Sequence, residues 1–340
     1  MVQTAQDGFR IPLLRSRIRD GVVAARMPLI LLLLLITSSV LTDGRFLQVD
    51  NLVNVVRQVS FEGLIAFGMT LVIVTGGIDL SVGSLVALTG VVAALAMQAV
   101  PGAAPGTRIA IGFLCGAGAG AAVGGLSGAV IARFAIPPFI VTLAAMLIAR
   151  GMAFILCDGK PVYALPQELT WWGRGFVLEA ALGRLLPTPV LMMLGGYFFF
   201  LVLLKRTVFG RSIVAVGSNE QAAYLAGIPV RLTKLSVYVV TGLLCGLAGT
   251  LHDAKLMAGD PKVGEMWELN VIAAVVVGGT SLFGGRGTMT GTLVGALIIG
   301  VLNNSLNLLH VDHFWQKVVL GLVILGASLL DAGLRRLESL

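Results

Sequence analysis

Residues 75–84 read Thr-Gly-Gly-Ile-Asp-Leu-Ser-Val-Gly-Ser, a polar and glycine-rich stretch between two strongly apolar segments. The upstream segment covers residues 59–74 and the downstream segment covers residues 85–100. If both segments cross a bilayer, Asp79 has two possible positions. At a cytoplasmic turn, Asp79 or Ser81 would simply cap the following helix. At a helix break inside the membrane, an acidic side chain is by default a functional one. The sequence leaves both interpretations open.

The composition of the whole chain is that of a membrane protein. Of 340 residues, 57% are hydrophobic and only 12% are charged, and the mean hydropathy is +0.95. A soluble globule needs far more charged surface than this. The net charge of +7 requires no nucleic-acid partner, because basic residues collect at the cytoplasmic ends of membrane spans. We therefore predict an all-α polytopic membrane protein.

About ten transmembrane helices are predicted, some of them short or broken. The apolar segments cover residues 28–41, 59–77, 80–100, 109–132, 136–156, 190–204, 235–251, 269–283, 288–308 and 316–330. Arginines precede the first segment, and the alternation of spans puts an excess of Lys and Arg on that same side, which predicts cytoplasmic termini. The chain then divides into a basic cytoplasmic segment (1–26), one transmembrane domain (27–330) and a cytoplasmic tail (331–340).

The fourth apolar segment carries a glycine at every fourth position. The ladder consists of Gly112, Gly116, Gly120, Gly124 and Gly128. Such spacing leaves a smooth strip along one side of a helix, where another backbone can approach closely. Packing within the chain is the expected use of this strip. A moving pore face or a contact between subunits is the alternative.

Two glycine-rich stretches suggest an internal repeat. Residues 76–83 match residues 278–285 at the paired glycines, the leucine and the last glycine, and each follows a valine-rich run. Corresponding glycine-interrupted segments in two halves of a transporter point to a central pathway, although chance similarity between glycine-rich spans competes. The predicted break or hinge residues are Gly76, Gly77, Gly83, Gly278, Gly279, Gly284 and Gly285.

The polar residues within or beside the spans are mostly uncharged. Groups of this kind usually hydrogen-bond to neighbouring helices, but they could also line a path suited to a polyhydroxylated solute. The predicted path residues are Thr75, Asp79, Ser81, Asn303, Asn304 and Asn307.

Residues 205–234 form the largest predicted cytoplasmic loop and contain one helical pattern. The pattern begins after a capping residue and ends at glycine and proline. Its defining residues are Asn219, Glu220, Ala222, Ala223, Gly227 and Pro229. The short helix serves either to dock a partner or only to connect two spans.

The sequence lacks the patterns of a phosphate-binding loop and of a metal site. Gly279 and Gly284 have the glycine spacing of a phosphate-binding loop, but the Lys-Ser or Lys-Thr that must follow is replaced by Gly285 and Arg286. His310 and His313 lack a further metal ligand nearby. We expect no enzyme activity, no bound cofactor and no metal in this chain.

The motifs together resemble a known family. Residues 75–84, 209–228, 273–287 and 300–309 are similar, in matching order, to the membrane permeases of bacterial ATP-binding-cassette sugar importers of the ribose type. The resemblance covers nearly the whole chain, from about residue 51 to residue 330.

The resemblance implies a complete importer in the bacterial inner membrane. Two permease copies would form a homodimer surrounded by lipid, with cytoplasmic ATPase subunits that use ATP and Mg²⁺, and with a periplasmic sugar-binding protein. It also implies that the helix after Asn219 is the coupling element that docks on the ATPase. The alternative is a self-sufficient, ion-coupled transporter that uses Asp79.

Overall fold

The computed structural model describes residues 27–177 and 179–338, so the predicted basic segment at residues 1–26 lies outside the described residues. The described chain consists of helices and connecting loops, and no β-strand occurs within it. The helices are α1 (Met27–Leu41), α2 (Val49–Val74), α3 (Val82–Gln98), α4 (Pro105–Phe134), α5 (Pro138–Leu156), α6 (Thr170–Arg174), α7 (Glu179–Leu182), α8 (Thr188–Arg206), α9 (Val208–Ser218), α10 (Glu220–Leu225), α11 (Val230–Leu256), α12 (Trp267–Val277), α13 (Met289–Leu308) and α14 (His313–Glu338).

Six of the described helices are long and apolar enough to cross a membrane. These are α2, α4, α5, α8, α11 and α13. Each of the other four predicted segments also contains an apolar helix, namely α1, α3, α12 and the first part of α14. The prediction of an all-α polytopic membrane protein with some short helices is therefore confirmed.

The predicted start of the second span is wrong, because α2 begins at Val49 and not at residue 59. The polar residues of its first turns resemble a loop in the sequence, but tertiary contacts hold them on a helix. The amides of Asn51 and Asn304 exchange two hydrogen bonds of 3.0 Å. A polar side chain that hydrogen-bonds to a neighbouring helix can remain on its own helix.

The glycine ladder of α4 packs within the chain, as expected. A Cβ atom on Gly120 would overlap the carbonyl oxygen of Gly242 on α11, and one on Gly124 would overlap that of Tyr238. The α4 and α11 backbones therefore approach more closely than any larger residue at these positions permits. This contact is the most extensive helix pair in the bundle.

The two predicted breaks share one helix-ending geometry. At the end of α2, Gly76 has φ 81° and its N–H donates to Ile73 O at 2.9 Å. At the end of α12, Gly279 has φ 87° and its N–H donates to Val276 O at 2.9 Å. The following residues, Gly77 and Thr280, donate to Val72 O at 3.0 Å and Val275 O at 3.2 Å. Both ends are Schellman motifs, which place glycine at the left-handed position.

This geometry corrects the register of the internal repeat. The sequence match pairs Gly76 with Gly278, whereas the hydrogen bonds pair Gly76 with Gly279 and Gly77 with Thr280. Backbone conformation fixes the correspondence here, because only the residue with positive φ needs to be glycine. Gly83 lies outside the break, since it is the second residue of α3.

Candidate functional site

The first break lies between α2 and α3, and the second lies between α12 and α13. Both meet the end of α9 at one place, which we call the glycine junction and define by Gly76, Gly217, Gly284 and Gly285. The N–H of Gly285 donates to the carbonyl oxygen of Val74, the last residue of α2, at 2.9 Å. A Cβ atom on Gly217 would overlap the Val74 carbonyl oxygen and would lie 2.7 Å from Gly285 N. The last residue of α2, the second break and the segment that leads into α10 are therefore in direct backbone contact.

The short helix predicted within residues 205–234 is confirmed as α10. Asn219 caps it, because its Oδ1 accepts a hydrogen bond from Ala222 N at 2.9 Å. Gly227, with φ 80°, follows its end, and Pro229 precedes α11. Glu220 forms an ion pair with Lys234 on α11 at 2.7 Å. The loop also contains α9, which the sequence pattern had not indicated.

A cavity of about 430 Å³ lies beside the glycine junction, between the first break and the start of α10. The residues that line it include Thr75, Gly77, Ser218, Glu220 and Tyr238. The buried hydroxyl of Tyr238 has no hydrogen-bond partner among the described residues. The first break therefore borders a partly polar space next to the loop that carries α10.

Asp79 is buried, with 1% of its surface exposed, and it holds the start of α3. Its Oδ1 accepts hydrogen bonds from Ser81 N at 2.9 Å and from Ser81 Oγ at 2.6 Å. Its Oδ2 has no partner among the described residues. Thr142 on α5 contacts the same segment, because its hydroxyl donates to Ile78 O at 3.2 Å. Asp79 is therefore a buried acid at a helix break that orders Ser81, the residue before α3. The predicted side-chain cap is absent, because Ser81 makes no capping hydrogen bond to α3.

The predicted path residues fall into two separate groups. Thr75, Asp79 and Ser81 belong to the first break, whereas the three asparagines lie toward the last turns of α13. Thr292, near the start of α13, pairs with Thr70 of α2 through hydroxyls 2.6 Å apart, and Asn304 lies about 18 Å further along the helix.

The side chains of two of the three asparagines form hydrogen bonds with other helices. Asn304 pairs with Asn51 of α2, and Asn307 Oδ1 accepts a hydrogen bond from Gln316 Nε2 on α14 at 2.8 Å. Asn303 is half-buried. Contact of these six residues with a transported solute stays a prediction.

A further polar group, absent from the sequence-based prediction, lies between α2, α11 and α12. Glu62 Oε1 accepts a hydrogen bond from Asn270 Nδ2 at 3.2 Å, and His252 lies beside Trp267. Residues 252–268 lie between two predicted apolar segments and are expected to form an external loop, but α11 continues to Leu256 and α12 begins at Trp267. An acid within a predicted span, Glu62, was the signal that could have indicated this group.

The bundle and its sites define the class of protein. Apolar helices broken at glycine pairs, buried polar side chains and a capped helix in a loop at one end of the bundle are typical of a multi-pass membrane transport protein. The chain belongs to the family described as branched-chain amino acid transport system / permease component, whose model matches residues 51–328. This membership confirms the resemblance to the permeases of ATP-binding-cassette importers and the location in the membrane.

Curated relatives match over nearly their full length. The ribose import permease protein of Bacillus subtilis is 44% identical over 314 residues, which cover 92% of this chain and 94% of the relative. The L-arabinose ABC transporter permease protein of Azospirillum brasilense is 39% identical over 313 residues, 92% of this chain and 87% of the relative. The xylose transport system permease protein of Escherichia coli K12 is 34% identical over 354 aligned residues, 87% of this chain and 88% of the relative. No solved structure matches the chain.

Proposed function

We propose that the chain is the membrane-spanning permease of an importer for a ribose-like monosaccharide. The observation that carries this proposal is the 44% identity to a ribose import permease across 94% of that relative. Other relatives are named for L-arabinose and xylose, so we propose a small sugar as the substrate class. The ion-coupled alternative is not favoured, because these relatives are named as permease components of import systems.

A separate cytoplasmic ATPase would drive the import, and α10 would be its docking helix. In support, α10 is capped by Asn219 and presents two large apolar side chains, Tyr224 and Leu225, with exposures of 72% and 84%. Such a surface on a short helix suits a groove in a partner. ATP and Mg²⁺ would bind only to that partner.

The complete importer would contain further partners. We propose a second copy of this permease, a periplasmic sugar-binding protein and the surrounding lipids of the inner membrane. The exposed apolar residues of α5, such as Leu147 and Ile148, are available for lipid or for the second copy. The glycine junction would transmit the movement of α10 to both breaks, whose glycines would act as hinges during alternating access.

Reconstitution tests this proposal directly. The chain would be purified with its cognate ATPase and placed in proteoliposomes, with the binding protein outside, and the uptake of labelled ribose, L-arabinose and xylose would be measured. We expect uptake of at least one pentose that requires ATP inside and is insensitive to ionophores. Uptake without the ATPase, or uptake abolished by collapse of an ion gradient, would contradict the proposal.

A further inference from the structure

Polar, charged and aromatic side chains meet where α2, α11 and α12 face one another. We define the outer cluster as Arg57 and Glu62 on α2, His252 and Lys255 on α11, and Asn270 on α12. Asn270 Nδ2 donates to Glu62 Oε1 at 3.2 Å. All five residues are half-buried.

Aromatic rings contact this cluster on several sides. The His252 ring packs edge-to-face on Phe61, with centroids 5.5 Å apart, and on Trp267 of α12 at 5.2 Å. Lys255 Nζ lies 5.4 Å from the Phe61 ring centroid, and the Arg57 guanidinium lies 4.9 Å from that of Phe176. Phe176 belongs to the segment after α6, so the loop between α5 and α8 covers one end of the cluster.

The cluster lies near the middle of α2. Glu62 is about 18 Å from Val74 at one end of the helix and about 20 Å from Val49 at the other, at 1.5 Å per residue. Two short helices begin at this same level. Trp267 starts α12, and a Cβ atom on Gly83, in the first turn of α3, would overlap the carboxylate of Glu268. Transporters place solute sites near the bilayer midplane, where discontinuous helices begin.

Two buried nitrogen atoms of the cluster have no hydrogen-bond partner among the described residues. They are Arg57 Nε and His252 Nδ1. A buried polar atom without a partner destabilises the fold, so in native proteins it usually has a partner such as a ligand or a water molecule. The cluster therefore has unused hydrogen-bonding capacity near the middle of α2.

The charges of the cluster select against a simple cation, because Arg57 and Lys255 repel it. A neutral polyhydroxylated ring suits all of these groups, because its hydroxyls both donate and accept hydrogen bonds. Its apolar C–H face can also pack on the half-buried ring of Trp267.

We propose that the outer cluster is a contact site for the monosaccharide during its passage through the permease. This assignment rests on the proposed function. Glu62 and Asn270 hydrogen-bond to sugar hydroxyls, and the half-buried ring of Trp267 packs against the sugar ring. A permease that lacks these contacts still assembles and is still driven by its ATPase, but it carries fewer sugar molecules per cycle.

The number of pentose molecules imported per ATP hydrolysed tests this assignment. The full importer would be reconstituted with the Glu62→Gln or Asn270→Ala variant and supplied with saturating binding protein loaded with the labelled pentose that the wild type imports. We expect ATP hydrolysis stimulated by the binding protein to persist, while pentose per ATP falls about tenfold, as the loss of a hydrogen bond to a charged group implies. The control is Glu168→Gln, which makes the same chemical change at an exposed position and should leave the ratio unchanged.

The remaining outcomes overturn the assignment in distinguishable ways. A ratio equal to that of the wild type in both variants would overturn the sugar contact alone. A parallel fall of ATP hydrolysis and uptake would assign the cluster a purely structural role. If the wild-type importer takes up none of the three pentoses, the proposed function fails and this assignment fails with it.

Discussion

The peptide N–H of Gly285 and the carbonyl oxygen of Val74 form a hydrogen bond of 2.9 Å that joins the two breaks of the bundle. The two residues are far apart in the chain: Val74 is the last residue of α2, and Gly285 belongs to the segment between α12 and α13. Gly217 packs against both of them without a side chain. Because α10 follows Gly217 almost immediately, we expect a movement of α10 to reach both breaks through these backbone contacts.

Gly217→Ala should disrupt this junction. The new methyl group would overlap Val74 O and lie 2.7 Å from Gly285 N, and both are backbone atoms that cannot rotate away. We expect a loss of about 1–3 kcal/mol in stability from overpacking and a marked loss of uptake, measured by thermal unfolding in detergent and by transport assay. Gly118→Ala on α4 is the control, since its Cβ would enter open space. Unchanged melting of Gly217→Ala would refute the close contact.

Asp79→Asn and Asp79→Ala separate the structural and ion-coupling roles of this acid. Both hydrogen bonds from Ser81 go to Oδ1, which asparagine retains as an amide oxygen. We therefore expect Asp79→Asn to fold and transport nearly as the wild type does. Asp79→Ala removes the acceptor and should cost about 1–3 kcal/mol, seen as a lower melting temperature. Loss of transport in Asp79→Asn with normal folding would instead favour the ion-coupled alternative.

Local features of this fold could be predicted from the sequence, whereas contacts between distant helices could not. The cap of α10 by Asn219 and the glycine strip of α4 depend on residues a few positions apart. The pairing of Glu62 with Asn270 depends on how α2 and α12 pack, which no local pattern encodes. The early start of α2 was missed for the same reason, because Asn51 finds its partner more than two hundred residues away.

The exposed apolar residues of α10 should affect the partner ATPase and not the fold. Tyr224→Ala and Leu225→Ala remove side chains that are 72% and 84% exposed, so thermal unfolding should stay unchanged. If they fill a groove in the ATPase, each should weaken its binding by about 1–2 kcal/mol or more, measured as ATPase retained on the immobilised permease. Tyr163→Ala is the control, since Tyr163 is also exposed but lies in a different loop. Equal ATPase retention in all variants would argue against docking at α10.

The pair of Asn51 and Asn304 distinguishes helix packing from a role in the solute path. Their amides exchange two hydrogen bonds, so Asn304→Leu leaves the Asn51 amide with an unpaired acceptor. This single change should cost about 1–3 kcal/mol. The double variant Asn51→Leu with Asn304→Leu removes both partners, and it should be more stable than the sum of the two single changes predicts. If the pair serves only to join α2 to α13, the double variant also recovers most of the pentose uptake. A double variant that folds with the recovered stability but transports nothing would place Asn304 on the solute path, because packing alone would then have been restored.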